Sequence, residues 1–253
     1  MNRTILITGA TSGFGKAIAE KFASTGDHLL ITGRRSDRLN KIAESLSAQF
    51  KVRILPLVFD VQDKQQVKET LSKIPTAWQA IDILINNAGL AAGRDYFDEA
   101  ALSDWETMID TNVKGLLYVT KAILPFMITR KQGHIINIGS TAAKEVYEKG
   151  NVYCASKSAV DALSQAMRID LLRHGIKITA VHPGAAETEF SLVRLKGDQE
   201  AAAKVYEGFQ PLRAEDVAGV VHYCASLPAH VCINDVVMTA TAQANSFYFH
   251  KSL

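Results

Sequence analysis

The stretch that most restricts the fold of this chain lies at its start. Thr4–Thr8 (TILIT) is a short apolar, β-branched run that reads as a buried strand. Gly9-Ala-Thr-Ser-Gly13-Phe-Gly15 follows, and Lys16–Ser24 then carries Ile18, Ala19 and Phe22 at helical spacing. Strand, glycine turn and helix make the first half of a βαβ unit. Such a turn needs residues that accept unusual backbone angles and let a phosphate come close. The helix behind it offers free N–H groups and a partial positive charge to a pyrophosphate. Gly9, Thr11, Ser12, Gly13, Phe14 and Gly15 are therefore candidate cofactor-binding residues. Their spacing is Gly-x-x-x-Gly-x-Gly, not the general Gly-x-Gly-x-x-Gly fingerprint, and an ordinary tight βα turn is the alternative.

The alternation continues along the chain. His28–Thr32, Val52–Phe59, Ile81–Ile85, Gly133–Ile138 and Ile176–Val181 read as strands, with Asp235–Thr239 a candidate seventh. Arg38–Phe50, Gln62–Lys73, Ser103–Arg130, Val152–Arg173 and Glu215–Ser226 read as helices. Strands and helices in this order predict an α/β fold, a doubly wound parallel sheet with helices on both faces. No linker, repeat or low-complexity run interrupts it, so residues 1–253 read as a single domain. Residues 185–211 carry weaker strand signal and mixed charge. They read as an insertion over the carboxyl edge of the sheet, where open α/β sheets bind ligands.

The second strand runs into Thr32-Gly33-Arg34-Arg35. An acidic residue there would favour NAD through the ribose hydroxyls. Two guanidinium forks suit a 2′-phosphate, which favours NADP; a solvated basic turn is the alternative. Helix capping by Ser36 or Asp37 accounts for the Asp that follows. Asp60, at the end of the third strand, suits an adenine amino group or a cap for the helix at Gln62.

Tyr153-Cys-Ala-Ser-Lys157 puts a phenol and an ammonium on one helical face, with Ser140 thirteen positions upstream. A free phenol titrates near ~10, and a neighbouring cation lowers that value. A hydroxyl such as Ser140 can hold a substrate oxygen beside the phenol proton, which suits proton transfer to or from an alcohol or carbonyl.

Composition removes other classes. The net charge of +2, with 47% hydrophobic and 21% charged residues, gives no reason to expect nucleic acid or an anionic membrane as partner. Cys154, Cys224 and Cys232 have no metal-ligand spacing, so no metal is expected, and an odd, sparse set suits a reducing compartment. No signal pattern precedes the first strand, and apolar runs fall short of the ~18 residues of a membrane span. The expectation is a cytoplasmic protein acting on a small molecule.

With Thr8-Gly9-x-x-x-Gly13-x-Gly15, Asn86-Asn87-Ala88-Gly89, Asn112, Ser140, Tyr153-x-x-x-Lys157, Pro183-Gly184 and Thr188 in order, the sequence resembles the short-chain dehydrogenase/reductase family over essentially its whole length. The resemblance implies a Rossmann-type fold and a homodimer or homotetramer built through the two long helices. It makes Tyr153 the general acid/base and Ser140 the group that binds the substrate oxygen. Lys157 would bind the nicotinamide ribose and lower the Tyr153 pKa, and Asn112 would hold a water linking Lys157 to solvent. Asp60, Val61, Asn87, Ala88, Gly89, Pro183 and Gly184 would line the cofactor, and Thr188 would bind its carboxamide. Helix-interior packing for Asn112 and a plain loop hydroxyl for Thr188 stay open. The segment Gly184–Gly197, the Leu227-Pro-Ala-His230 stretch and the short tail are similar to NADP-dependent 3-hydroxy acid (serine/allo-threonine type) dehydrogenases. Arg194 and Lys196 suit a substrate carboxylate, or equally form a solvated basic stretch. Reduction of a 3-oxoacyl thioester is a second reading. A non-catalytic dinucleotide-sensing scaffold is a third, which the intact Ser140/Tyr153/Lys157 set disfavours.

Overall fold

The computed structural model describes residues 2–252. Its first half runs β1 (Thr4–Ile7), α1 (Gly13–Ser24), β2 (His28–Gly33), α2 (Ser36–Phe50), β3 (Ile54–Val58), α3 (Lys64–Ser72) and β4 (Ile83–Asn86). Next come α4 (Leu102–Ile109), a π-helical turn at Asp110–Gly115, α5 (Leu116–Arg130), β5 (Gly133–Ile138) and α6 (Asn151–Asp170). The chain then forms β6 (Ile176–Pro183), two short helices α7 (Glu189–Arg194) and α8 (Gln199–Lys204), α9 (Ala214–Ser226) and β7 (Asp235–Met238). Among the described residues the strands form one parallel seven-stranded sheet, ordered β3-β2-β1-β4-β5-β6-β7.

Because side chains alternate along a strand, each central strand feeds two cores. Ile5, Ile7, Leu29 and Ile31 join α1, α2 and α9 residues such as Phe22, Leu39 and Val221 on one face. Leu6, Leu30, Leu84 and Ile135 join Val67, Val119 and Ile123 of α3 and α5 on the other. With both faces covered, β1, β4 and β5 are buried along their whole length. Strand order reverses between β1 and β4. The loops after those strands therefore diverge and open a crevice at the carboxyl edge of the sheet.

Several boundaries differ from the sequence reading. α1 starts at Gly13 because the loop's own glycines form its first turn. α2 starts at Ser36, and neither Ser36 nor Asp37 caps it. α3 starts at Lys64 and is capped by Asp63, which accepts from the N–H groups of Gln65 and Gln66 at 2.9 and 3.0 Å. Asp60 is therefore not that helix's cap; it accepts from the N–H of Gln62 at 3.0 Å, closing the turn before it. The insertion at residues 185–211 holds two short helices, α7 and α8. No helix of the described residues is long and apolar enough to cross a membrane.

Candidate active site

The glycine turn is built by close packing. Gly9 and Gly13 have φ of +68° and +50°, a region that favours glycine. A Cβ on Gly15 would fall 2.2 Å from the Gly9 carbonyl oxygen and 2.5 Å from Asn87 Nδ2. Asn87 Nδ2 donates to the carbonyls of Thr8 and Gly9 at 2.8 and 3.2 Å. Thr8 Oγ1 in turn accepts from the N–H groups of Asn87 and Ala88 at 3.0 and 2.9 Å. The first residues after β1 and β4 are thus tied together before the two connections diverge. Ser12 makes no side-chain cap on α1, so the first turn's N–H groups are not taken by its hydroxyl. That cradle fits a pyrophosphate.

Arg34 and Arg35 flank the cradle. Arg35 spans it, donating to Thr11 Oγ1 (2.9 Å) and Ser12 Oγ (2.9 Å), and to Glu189 on α7 at 3.1 Å. Arg34 pairs with Asp60 at 3.3 Å. Val61 packs against Gly115, where a Cβ would lie 2.9 Å from Val61 Cγ2. Gly9, Thr11, Ser12, Gly13, Arg34, Arg35, Asp60, Val61, Asn87, Ala88 and Glu189 line one continuous cleft of about 880 Å³ with Phe14, Gly89, Ser140, Tyr153, Lys157, Pro183, Gly184, Thr188 and Arg194, whereas Gly15 lies behind it, against Gly9 and Asn87.

Tyr153 and Lys157 lie at its floor, 7% and 6% exposed. Lys157 Nζ donates to the Ile138 carbonyl at 3.0 Å and lies 6.0 Å from the Tyr153 ring centroid. Burial pulls the Lys157 pKa from 10.5 down to about 8. Burial drives the Tyr153 phenol well above its ordinary value; Tyr147 adds to the rise, while the Ser140 hydroxyl and Arg194 oppose it. The resemblance gives Lys157 the role of lowering this value; in this structure Ser140 and Arg194 are the groups seen to oppose the rise. Among the chain's own groups the opposing cation is Arg194, whose guanidinium carbon is 5.4 Å from the Tyr153 ring centroid.

A buried ammonium with one acceptor opposes folding. Lys157→Met should therefore abolish turnover yet raise Tm by about 2–4 °C for each ~1 kcal/mol relieved. The unfolded lysine keeps its proton up to about 10.5 and the folded one releases it at about 8. Between those values the unfolded chain binds more protons, so wild-type stability rises with pH. The variant's advantage should be complete below about pH 8 and shrink toward 10.5. A Tm gap that stays constant across that range would show that Lys157 is not the group responsible.

Asn112 sits in the π turn, a feature frequent at functional sites. Its Oδ1 accepts from Leu90 N–H at 2.8 Å, and its Nδ2 donates to Leu90 O and Ser156 Oγ at 2.8 and 3.0 Å. The side chain is thus used in holding the loop after β4. Gly89 packs beside it; a Cβ there would meet Asn112 Oδ1 at 3.2 Å and Lys157 Nζ at 3.3 Å. Thr188 lies beside Gly13 and caps α7, accepting from Phe190 N–H at 3.2 Å.

Arg194 Nη1 donates to Tyr147 Oη at 2.9 Å, and the guanidinium also reaches the carbonyls of Gly93 and Lys149 at 3.4 Å. Lys196 does not join it; it pairs with Asp104 at 2.8 Å. Tyr147, Phe190 and Gln243 are site residues that the sequence reading missed. Burial raises the Tyr147 pKa, so its hydroxyl keeps a proton to offer the cleft. The Phe190 ring packs against Tyr153, tilted by 57° with centroids 5.6 Å apart. Gln243 Oε1 accepts from Ala185 N–H at 2.8 Å and fills the space beside Gly184. None carries a local signal, because each acts across a long sequence separation.

A proton-donating phenol, a hydroxyl beside it and a dinucleotide-shaped cleft describe a dehydrogenase site. The chain belongs to the short-chain dehydrogenase family, whose model matches residues 3–197. It is 45% identical to the NADP-dependent 3-hydroxy acid dehydrogenase YdfG of Salmonella typhi over 241 residues, 95% of this chain and 96% of that one. It is 46% identical to sulfoacetaldehyde reductase 2 of Chromohalobacter salexigens, covering 98% of each. The closed form of serine dehydrogenase complexed with NADP+ superposes with a TM-score of 0.93 at 43% identity, covering 98% of this chain and all of that one.

Proposed function

We propose that this enzyme transfers hydride reversibly between NADP(H) and the 3-hydroxyl of small 3-hydroxy acids of the serine, allo-threonine or 3-hydroxypropionate type. The observation that carries the reading is Arg194, a cation 5.4 Å from the Tyr153 ring in the same cleft. A small acid brings a full charge that must be paired on desolvation. The names of the relatives support both the cofactor and the acid. A nicotinamide dinucleotide supplies the hydride when bound along the glycine cradle, with Arg34 and Arg35 toward its 2′-phosphate and Asn87, Ala88, Gly89, Pro183, Gly184 and Thr188 along its length. Ser140 holds the substrate oxygen and Tyr153 moves its proton. Lys157 binds the ribose, and Asn112 keeps the Gly89–Leu90 loop against it. Residues 185–211 act as the lid. The enzyme works in the cytoplasm as a homodimer or homotetramer paired through its long helices. The charged pocket disfavours an uncharged thioester carbonyl as substrate. A sulfonate aldehyde shares the anionic end and is the second reading, favoured by the Chromohalobacter relative.

The test is turnover with NADP and NAD against serine, allo-threonine, 3-hydroxypropionate, an acetoacetyl thioester and sulfoacetaldehyde. Fastest turnover of the thioester would refute the acid assignment. In the same assays Arg34→Ala should weaken NADP by about tenfold and NAD little, since a charge-assisted contact contributes ~1.5–3 kcal/mol. Equal losses for both cofactors would show that Arg34 does not read the 2′-phosphate.

A further inference from the structure

Beneath Ser140 lies a polar cluster that the proton chemistry above does not use. His182, on β6, is fully buried. Its Nδ1 is 3.3 Å from Ser140 N and 3.2 Å from Ser140 O. Its Nε2 faces Asp161 Oδ1 at 3.5 Å and Asp235 Oδ1 at 3.4 Å. Asp161 lies one turn beyond Lys157 on α6, and Asp235 opens β7. Lys144 Nζ holds the other oxygen of each carboxylate, at 3.1 and 2.6 Å. The ring reaches Ser140 only because Gly139 has no side chain; a Cβ there would fall 2.3 Å from His182 Nδ1.

The electrostatics select one arrangement. Burial lowers the His182 pKa, against the pull of Asp235 and Asp161, and keeps the ring neutral. Two carboxylates 3.5 and 3.4 Å from Nε2, neither in hydrogen-bond geometry with it, favour the ring proton on that side, and the Ser140 N–H calls for a lone pair on Nδ1. Nδ1 then presents its lone pair to the Ser140 N–H. A histidine and two aspartates also form a donor set for a divalent cation. Here the Lys144 ammonium already bridges both carboxylates and supplies the positive charge.

We propose that His182 is a positioning residue for Ser140: its Nδ1 accepts the Ser140 N–H, Asp161 and Asp235 fix its tautomer, and Lys144 balances their charge. The cluster thereby joins the Ser140 turn to the helix that carries Tyr153 and Lys157. The proposal rests on Ser140 as the group that holds the substrate oxygen. A 1 Å misplacement of such a group costs up to ~10² in rate.

The experiment compares His182→Leu, His182→Asn, Gly139→Ala and Ser140→Ala for kcat, KM, NADPH affinity, Tm and bound metal. His182→Leu and Gly139→Ala should lower kcat by about 10–100-fold with NADPH affinity nearly unchanged. His182→Asn should recover most of kcat, because its amide oxygen can take the Ser140 N–H. If His182→Leu does not fold, Gly139→Ala and His182→Asn decide the matter. Wild-type kcat in Gly139→Ala overturns the proposal, as does an Asn variant no better than Leu. One tightly bound divalent ion per chain, lost with His182, also overturns it. Full activity in Ser140→Ala removes the site reading beneath it, an outcome distinct from a normal Ser140 loss with unaffected His182 variants.

Discussion

Tyr153→Phe should fold, bind NADP(H) with near-wild-type affinity and turn over about 10²–10⁴-fold more slowly, the usual contribution of a general acid or base. The ring is packed against Phe190 and sits under the Arg194 guanidinium, and phenylalanine keeps both contacts. What it removes is one oxygen and one proton. The wild-type phenol is held protonated, because burial raises its pKa. Reduction of a carbonyl needs that proton and finds it in place at neutral pH. Oxidation of an alcohol needs the phenolate, which becomes more populated as pH rises. Wild-type oxidation should therefore accelerate from neutral to alkaline pH while reduction stays nearly level, because the raised pKa keeps the phenol protonated across that range, and Tyr153→Phe should remove the rise in oxidation. Steady-state rates in both directions across a series of buffers of increasing pH check this. Wild-type turnover by the Phe variant would mean that another group moves the proton.

The parts of this site that were legible in the sequence are those written in short-range spacing. Tyr153 and Lys157 share a helix face because they are four apart, and the glycine turn follows from a strand, three glycines and a helix. What escaped reading depends on distance or on geometry without a compositional mark. Gly13 opens α1 although glycine ordinarily breaks helices, because the loop needs its positive φ. The π turn at Asp110–Gly115 uses residues that an α-helix accepts as readily. Spacing says nothing of desolvation, which dominates the Tyr153 phenol and which Ser140 and Arg194 oppose. Lys196 and Arg194 are two residues apart, yet one turns to Asp104 and the other into the cleft. Tyr147, Gln243 and His182 are ordinary residues in the sequence, and only the closing of the sheet and its loops brings them to the site.

Arg194→Ala should raise KM for 3-hydroxy acids by about tenfold or more, since a charge-assisted contact contributes ~1.5–3 kcal/mol and each ~1.4 kcal/mol is tenfold. Uncharged alcohols and ketones should be little affected. The structure sharpens this test, because Lys196 and Lys144 are already paired with carboxylates and leave Arg194 and Arg94 as the arginines near the nicotinamide end. It also supplies a control. Arg194 ties α7 to Gly93 and Lys149, so its removal loosens the lid as well as removing charge. Loosening acts on every substrate, whereas loss of charge acts on acids alone. Arg194→Lys separates the two further: it keeps the positive charge but not the planar fork that reaches several acceptors at once. If charge governs recognition, Lys should fall between wild type and Ala on acids and match wild type on neutral substrates. Equal losses on acids and neutral substrates would make Arg194 a lid residue. No change on either would move the carboxylate to Arg94, where Arg94→Ala should then produce the acid-specific rise in KM.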